Sequence, residues 1–179
     1  MTAQIGRLKL GRDGERLVAE LLNRLVADGA RVLHDLSAGK FNVDHVLIHP
    51  TGVYVIETKT YSKPENAKAK LVFDGNTVSM FGKPMRKDAI AQVRGNANRV
   101  RELIIDATGK RCTVKPVVIY PGWYVDSSKA AHDADAWVLN PKQLRGKLAH
   151  QSTCLSHEQI CGIAFQLGSY SRLQEANRS

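Results

Sequence analysis

The chain has 179 residues, enough for one compact domain and too few for two of ordinary size. Hydrophobic residues at 43% are ordinary for a globular core, and no apolar run approaches the ~20 residues that span a bilayer, which excludes a membrane-spanning helix. Lys and Arg number 26 against 17 acidic residues, a formal charge of +9 that favours polyanions through counterion release and long-range steering.

Met1 to Leu10 reads as a short basic lead-in without the apolar core or cleavage site of a secretory signal, so a cytoplasmic protein is expected. A first helix is predicted from Gly11 to Asp28, with Leu17, Leu21, Leu22 and Leu25 at helical spacing and Gly29 as its C-cap. Arg31 to Leu36 reads as a strand and Ser37-Ala38-Gly39-Lys40 as a turn. Two strands follow, Asp44 to Ile48 and Val53 to Lys59, joined by a four-residue turn, His49-Pro50-Thr51-Gly52. Both are apolar on both faces, as strands at the centre of a covered sheet are. Lys70 to Phe73 and Thr77 to Phe81 form a second hairpin around Asp74-Gly75-Asn76. A long helix is predicted from Pro84 to Ala107, with Val93, Ala97, Val100 and Ile104 as its buried stripe. Val114 to Tyr120 and Ala136 to Leu139 are further strands; Asn140 and Pro141 start a short helix, and a last helix runs from Ser156 toward Gln174. The order predicts an α/β fold, a central mixed β-sheet flanked by helices, in a single domain spanning residues 1–179.

The first hairpin carries the chemistry. If Ile48 pairs with Val53, then Val46 faces Val55 and Asp44 faces Glu57, on one face and roughly 5 Å apart at Cβ. Lys59 shares that face, because side chains alternate along a strand. Two carboxylates so placed repel each other. A divalent cation would resolve the repulsion, since Mg²⁺ is often held by one or two carboxylates and substrate phosphate. A neighbouring lysine can orient or deprotonate a water and steady developing charge. The competing reading is that charges simply mark where strands leave the sheet, and a one-residue slip of register would send the two acids to opposite faces.

These residues resemble a known family. Asp44-His45-Val46-Leu47-Ile48, the Pro50/Gly52 turn and Val53-Tyr54-Val55-Ile56-Glu57-Thr58-Lys59 look like the signature of the nuclease-related domain, within the restriction-endonuclease-like, PD-(D/E)xK group of nucleases. Gly11-x-x-Gly14-Glu15 is similar to the family's N-terminal motif and Gln92 to its downstream glutamine. The resemblance covers residues 11–120, leaving 121–179 as strand and helices that complete the domain. It implies a restriction-endonuclease-like core and a Mg²⁺-dependent deoxyribonuclease, with Mn²⁺ as an alternative ion and RNA as an alternative substrate. Asp44 and Glu57 would bind the metal, Lys59 would serve the attacking water, Glu15 would reach the site from the first helix, and Gln92 would support it or contact phosphate. Val43 stands where the wider motif has proline, and Thr60-Tyr61 where the family often has asparagine and an aromatic. Without the resemblance, Glu15 reads as a first-turn acid that complements the helix dipole, and Gln92 as a solvated position, although Gln92, Asn96 and Arg99 form a polar stripe beside the apolar one.

Lys63, Arg86, Lys87, Arg94 and Arg99 are the candidate phosphate contacts, with Lys68, Lys70 and Arg101 adding to the charge; a solvated basic helix face explains them equally well. Aromatic residues are only 6% of the chain, which argues against extensive base stacking. His45 is predicted on the face opposite Asp44, as a packed histidine, and His34 and His49 as structural or solvated. Cys112, Cys154 and Cys161 form no disulfide framework. The Cys154–Cys161 stretch with His157 lacks a fourth zinc ligand and reads better as a helix start, with Ser156 and Gln159 in a capping box and Leu155 stapled to Ile160. A homodimer would let a single-strand-cutting site sever both strands. The rival expectation is a non-catalytic nucleic-acid-binding or assembly module that keeps the fold.

Overall fold

The computed structural model of the chain describes residues 2–39, 41–62, 70–85 and 89–177, and the side chains from residue 10 onward. A five-stranded mixed sheet forms the centre. Its strands are β1 (Arg31–Ala38), β2 (Phe41–His49), β3 (Gly52–Thr58), β7 (Val114–Ile119) and β9 (Trp137–Leu139), in the order β1-β2-β3-β7-β9. β1, β2 and β3 are antiparallel neighbours, while β3, β7 and β9 run parallel.

Alternation along β3 distributes its side chains between two apolar layers. Tyr54 and Ile56 pack with Val18 and Leu22 of α1 (Thr2–Arg24) and with Leu144 and Leu148 of α3 (Pro141–Ala149). Val53 and Val55 pack on the other side with Val93, Val100 and Ile104 of α2 (Ala89–Thr108) and Ile160 and Ile163 of α4 (His157–Ala176). Every residue of β3 is buried, as a strand covered on both faces must be. The predicted capping box of Ser156 with Gln159 forms on α4, Asn140 caps α3 as expected and does so in a second box with Gln143, and Leu155 and Ile160 are buried in one cluster.

A second, four-stranded sheet stands beside the first. It comprises β4 (Lys70–Phe73), β5 (Val78–Met80), β6 (Lys83–Pro84) and β8 (Tyr124–Ser127), in the order β6-β5-β4-β8. Its inner face, with Leu71, Phe73, Val78 and Val125, is buried in the α2/α4 layer. Asp74 organises the β4–β5 turn, its Oδ1 accepting from the amides of Asn76 at 2.8 Å and Thr77 at 2.7 Å.

Several expectations need correction. The lead-in at residues 2–10 is helical and continuous with α1, which ends at Arg24 and passes into a 3₁₀ turn over Leu25–Asp28. Val18, not Leu17, faces the core; Leu17 is exposed. Ser37 and Ala38 belong to β1, because they pair with Asn42 and Phe41. The β2–β3 turn has two residues, Pro50 and Thr51, since His49 and Gly52 already pair. Pro84 does not open α2, because Lys83 and Pro84 pair with Met80 and Ser79 as β6; the helix is described from Ala89. β8 was not expected from the sequence; it pairs parallel to β4 only once the fold brings the segment after β7 alongside.

Candidate active site at the end of the central sheet

The β2–β3 register is the one that the turn implies: Ile48 pairs with Val53, Val46 with Val55 and His45 with Ile56. One step further along, the ladder gives way to side-chain bonding. Asp44 lies half-buried and its Oδ2 accepts the backbone N–H of Thr58 at 2.8 Å. Glu57 is 3% exposed, and its Oε1 accepts from Lys59 Nζ at 2.6 Å and from Gln92 Nε2 at 2.7 Å. Lys59 Nζ also donates to Gln92 Oε1 at 3.1 Å, closing a triangle of Glu57, Lys59 and Gln92. Gln92 sits on the first turns of α2, and Glu57 shares the strand face of Val53 and Val55, against which that helix packs. The structure therefore brings Asp44, Glu57, Lys59 and Gln92 together.

Glu57 Oε2 is buried with no hydrogen-bond partner. An ionised carboxylate oxygen in that position is costly unless a cation or donor meets it. Burial accordingly raises the Glu57 carboxyl above its ordinary pKa, and the Asp44 charge raises it further, while the bonds from Lys59 and Gln92 hold it down. Asp44 is also raised, mainly by burial, against the opposing bond from Thr58 and the charge of Lys59.

Glu15 approaches from α1. Burial, then the charges of Asp44 and Asp35, raise its carboxyl, and Lys59 opposes them. With the helix starting at Thr2, Glu15 lies far from the first turn, so complementing the helix dipole does not account for it. Gly14 has a steric cause, whereas a side chain at Gly11 would meet only ordinary contact. A Cβ at Gly14 would overlap the Thr60 Cγ2 methyl, with the Pro121 ring 3.5 Å away, and one at Gly11 would meet Thr60 Oγ1 at 3.8 Å. Gly14 lets α1 lie against the segment just beyond Lys59.

Asp35 is a further acid at this end that the sequence reading did not single out. It occupies the β1 position level with Asp44, between the pairs His34–His45 and Leu36–Val43, and holds a left-handed φ of 51°. Its charge bears on Glu15, Asp44 and His45. The polar His34-Asp35 pair between Val32-Leu33 and Leu36 was the available signal. His45 lies on the opposite face from Asp44, 5% exposed, with its Nδ1 2.9 Å from that of His34.

The expected phosphate contacts have mixed placements. Lys63, Lys68, Arg86 and Lys87 lie outside the described residues. Arg94 lies on the flank of α2 away from Gln92 and forms a bidentate pair with Asp135 at 2.9 and 2.5 Å. Arg99 bonds to Glu102 and to the Tyr170 hydroxyl, each at 3.2 Å. Both arginines thus have partners within the protein. Among the described residues, no group of three or more His, Cys, Asp or Glu side chains is gathered as a metal site, and no helix is long and apolar enough to cross a membrane.

These features define an α/β protein whose central sheet ends in two acids and a lysine under a helix-borne glutamine. The chain belongs to the nuclease-related domain family, whose model matches residues 10–121. A stretch of 56 residues is 38% identical to an uncharacterised protein of Bacillus anthracis, covering 28% of this chain and 26% of that protein. Among solved structures, SfsA of Pyrococcus furiosus in complex with Ca²⁺ is similar at 14% identity and a TM-score of 0.33, over 69% of this chain and 55% of that one. The chain thus spans only part of the length of either protein.

Proposed function

We propose that this protein hydrolyses phosphodiester bonds of DNA with the help of a divalent cation, Mg²⁺ or Mn²⁺, held by Asp44 and Glu57. The observation that carries the reading is the buried, unpartnered Oε2 of Glu57 beside a second carboxylate, a donor set of hard oxygens suited to such an ion. Asp44 uses one oxygen on Thr58 and Glu57 uses one on Lys59 and Gln92, so each has an oxygen left to offer. A bound cation would supply Lewis acidity and lower the pKa of a water. Lys59 would orient the attacking water and steady charge on the phosphate, with Gln92 fixing the ammonium and Glu57 relative to each other. Glu15 would add negative charge to the site from α1. The basic surface draws the DNA in. Three unpaired cysteines fit a reducing, cytoplasmic setting.

One observation favours a second reading. Lys59 already neutralises Glu57 at 2.6 Å, as it would in a non-catalytic DNA-binding module that keeps the fold. Cleavage of plasmid and linear DNA in Mg²⁺, Mn²⁺ and EDTA, paired with calorimetric titration of each ion, separates the two. The nuclease reading expects ion-dependent cutting that Glu57→Gln and Lys59→Met abolish. Salt-sensitive DNA binding with neither cutting nor carboxylate-dependent ion binding would leave the module.

A further inference from the structure

The second sheet packs one face on the core and leaves the other open. β4 alternates accordingly: Leu71 and Phe73 are buried, Lys70 and Val72 exposed. On the open face Lys70 pairs with Tyr124 of β8, which is 60% exposed. On the other side of β4, Leu71 pairs with Met80, so the next position along, Phe81, comes level with Lys70. Phe81 is 56% exposed. Two exposed aromatic residues therefore lie level with Lys70, one on β8 and one in the β5–β6 turn, their backbones roughly 10 Å apart by the usual strand spacing. Lys83, exposed, follows on β6.

Phe81 is an unusual choice at its position. Met80 and Lys83 close a two-residue turn in which Phe81 has φ 52° and Gly82 φ 74°. Such a turn needs positive φ at both central residues and favours Asn, Asp or Gly at the first. A bulky ring there is strained. Strain retained on an exposed aromatic is better explained by a task for the ring than by folding.

The row adjoins the candidate active site. Tyr124 follows Trp123, whose indole N–H donates to the Tyr61 carbonyl at 3.0 Å, and Tyr61 stacks on Tyr120. The Lys59 amide in turn bonds to the Ile119 carbonyl at 2.9 Å. Tyr124 is thus tied through Trp123 and Tyr61 to the segment that leaves the end of β3.

We infer that Tyr124, Lys70 and Phe81 form a platform for an unpaired DNA strand, which makes single-stranded ends or flaps the preferred substrate of the neighbouring site. This rests on the nuclease reading for its catalytic half only. Exposed rings stack on bases whatever their sequence, and a duplex has no free base faces to offer them. Lys70 is bonded to Asp126 at 2.7 Å, with both side chains about half exposed, and an open pair of this kind exchanges readily for a phosphate. Two rings give a footprint of few nucleotides, in keeping with the low aromatic content.

The test uses the full chain with fluorescein-labelled single-stranded DNA, single-stranded RNA and blunt duplex, bound in EDTA, and cleavage of flapped against blunt DNA in Mg²⁺. Tyr124→Ala and Phe81→Ala are each expected to weaken single-strand binding about tenfold while leaving duplex binding nearly unchanged. Phe81→Asn relieves the turn, so it should raise thermal stability and still weaken binding, which separates loss of the ring from a folding defect. Glu57→Gln should abolish cutting with single-strand binding intact. Wild-type-like binding by both alanine variants, or wild-type protein that prefers duplex or RNA, would overturn the platform. Blunt DNA cut as fast as flapped DNA would also overturn it while the nuclease reading stood. Ring-dependent binding with no cleavage of any substrate would support the platform and end the catalytic reading.

Discussion

Gly14 on α1 lies directly against Thr60, so closely that a β-carbon on the glycine would occupy the space of the threonine methyl. That contact sets how near the first helix comes to the segment leaving Lys59, and with it the reach of Glu15 toward Asp44.

Gly14→Ala should therefore destabilise the fold and displace α1. Overpacking of this kind costs about 1–3 kcal/mol, despite the better helix propensity of alanine. DNA cleavage should fall with it. Thr60→Ser removes the obstructing methyl and keeps the hydroxyl, so Gly14→Ala/Thr60→Ser should recover most of the stability in urea unfolding. An unrescued double variant would show that the glycine matters for some other reason.

Asp44 can be tested for the trade of stability against ion binding. Its carboxyl has a raised pKa in the folded protein, chiefly through burial. A carboxyl shifted upward favours the folded state where it is protonated and weighs against it once pH exceeds the raised value. Asp44→Asn removes that penalty at neutral pH and can still accept from the Thr58 amide. The ion-free variant should melt at or above the wild-type temperature, and addition of Mg²⁺ or Mn²⁺ should raise the melting temperature of the wild type only. An equal ion-induced rise in both proteins would remove Asp44 from the cation site.

The hairpin that carries the site was legible because both its ends are fixed locally. Pro50 and Gly52 mark the turn, strict alternation does the rest, and pairing Ile48 with Val53 leads to the observed end of the ladder. Gln92 and Glu15 were legible only through the family resemblance, since nothing in their own neighbourhoods aims them at Glu57 and Asp44. Asp35 was missed because its place beside Asp44 depends on the β1–β2 register, which no turn signal in the sequence fixes as Pro50 and Gly52 fix that of β2 and β3. β8 was missed for a similar reason: a four-residue strand, Tyr124-Val125-Asp126-Ser127, carries little periodicity and acquires its identity by pairing with β4, more than 50 residues earlier in the chain. Arg94 shows the limit of reading charge from composition. Its helix face looked open, yet the loop before β9 brings Asp135 to it.

His45 predicts a pH dependence of stability. Burial first, and then the neighbouring His34, push its pKa down to about 4 from 6.5. The unfolded chain therefore takes up a proton at higher pH than the folded one. Stability is retained above pH 6.5 and lost as pH falls from there toward about 4, by on the order of 3 kcal/mol over the full window. His45→Leu loses the bond to His34 and should be less stable at neutral pH, but its stability should fall less steeply between pH 7 and 5. Parallel wild-type and variant curves in urea unfolding would show that His45 is not the titrating group.

Gln92 predicts a split between binding and turnover. Its amide donates to Glu57 Oε1 and accepts from Lys59 Nζ, so it holds the carboxylate and the ammonium in one arrangement without standing between them. Gln92→Met keeps the volume and removes both bonds. Partners of this supporting kind typically contribute about 10–100-fold; that loss should appear in kcat, with KM for DNA little changed. The pH profile distinguishes positioning from a mere packing defect. The bond from Gln92 lowers the Glu57 pKa, because a donor favours the ionised carboxylate. Without it the carboxyl gains its proton at higher pH, and the acidic limb of the cleavage profile should move upward. A uniform drop in rate at every pH, or a change confined to KM, would assign Gln92 to phosphate contact instead of to the support of Glu57.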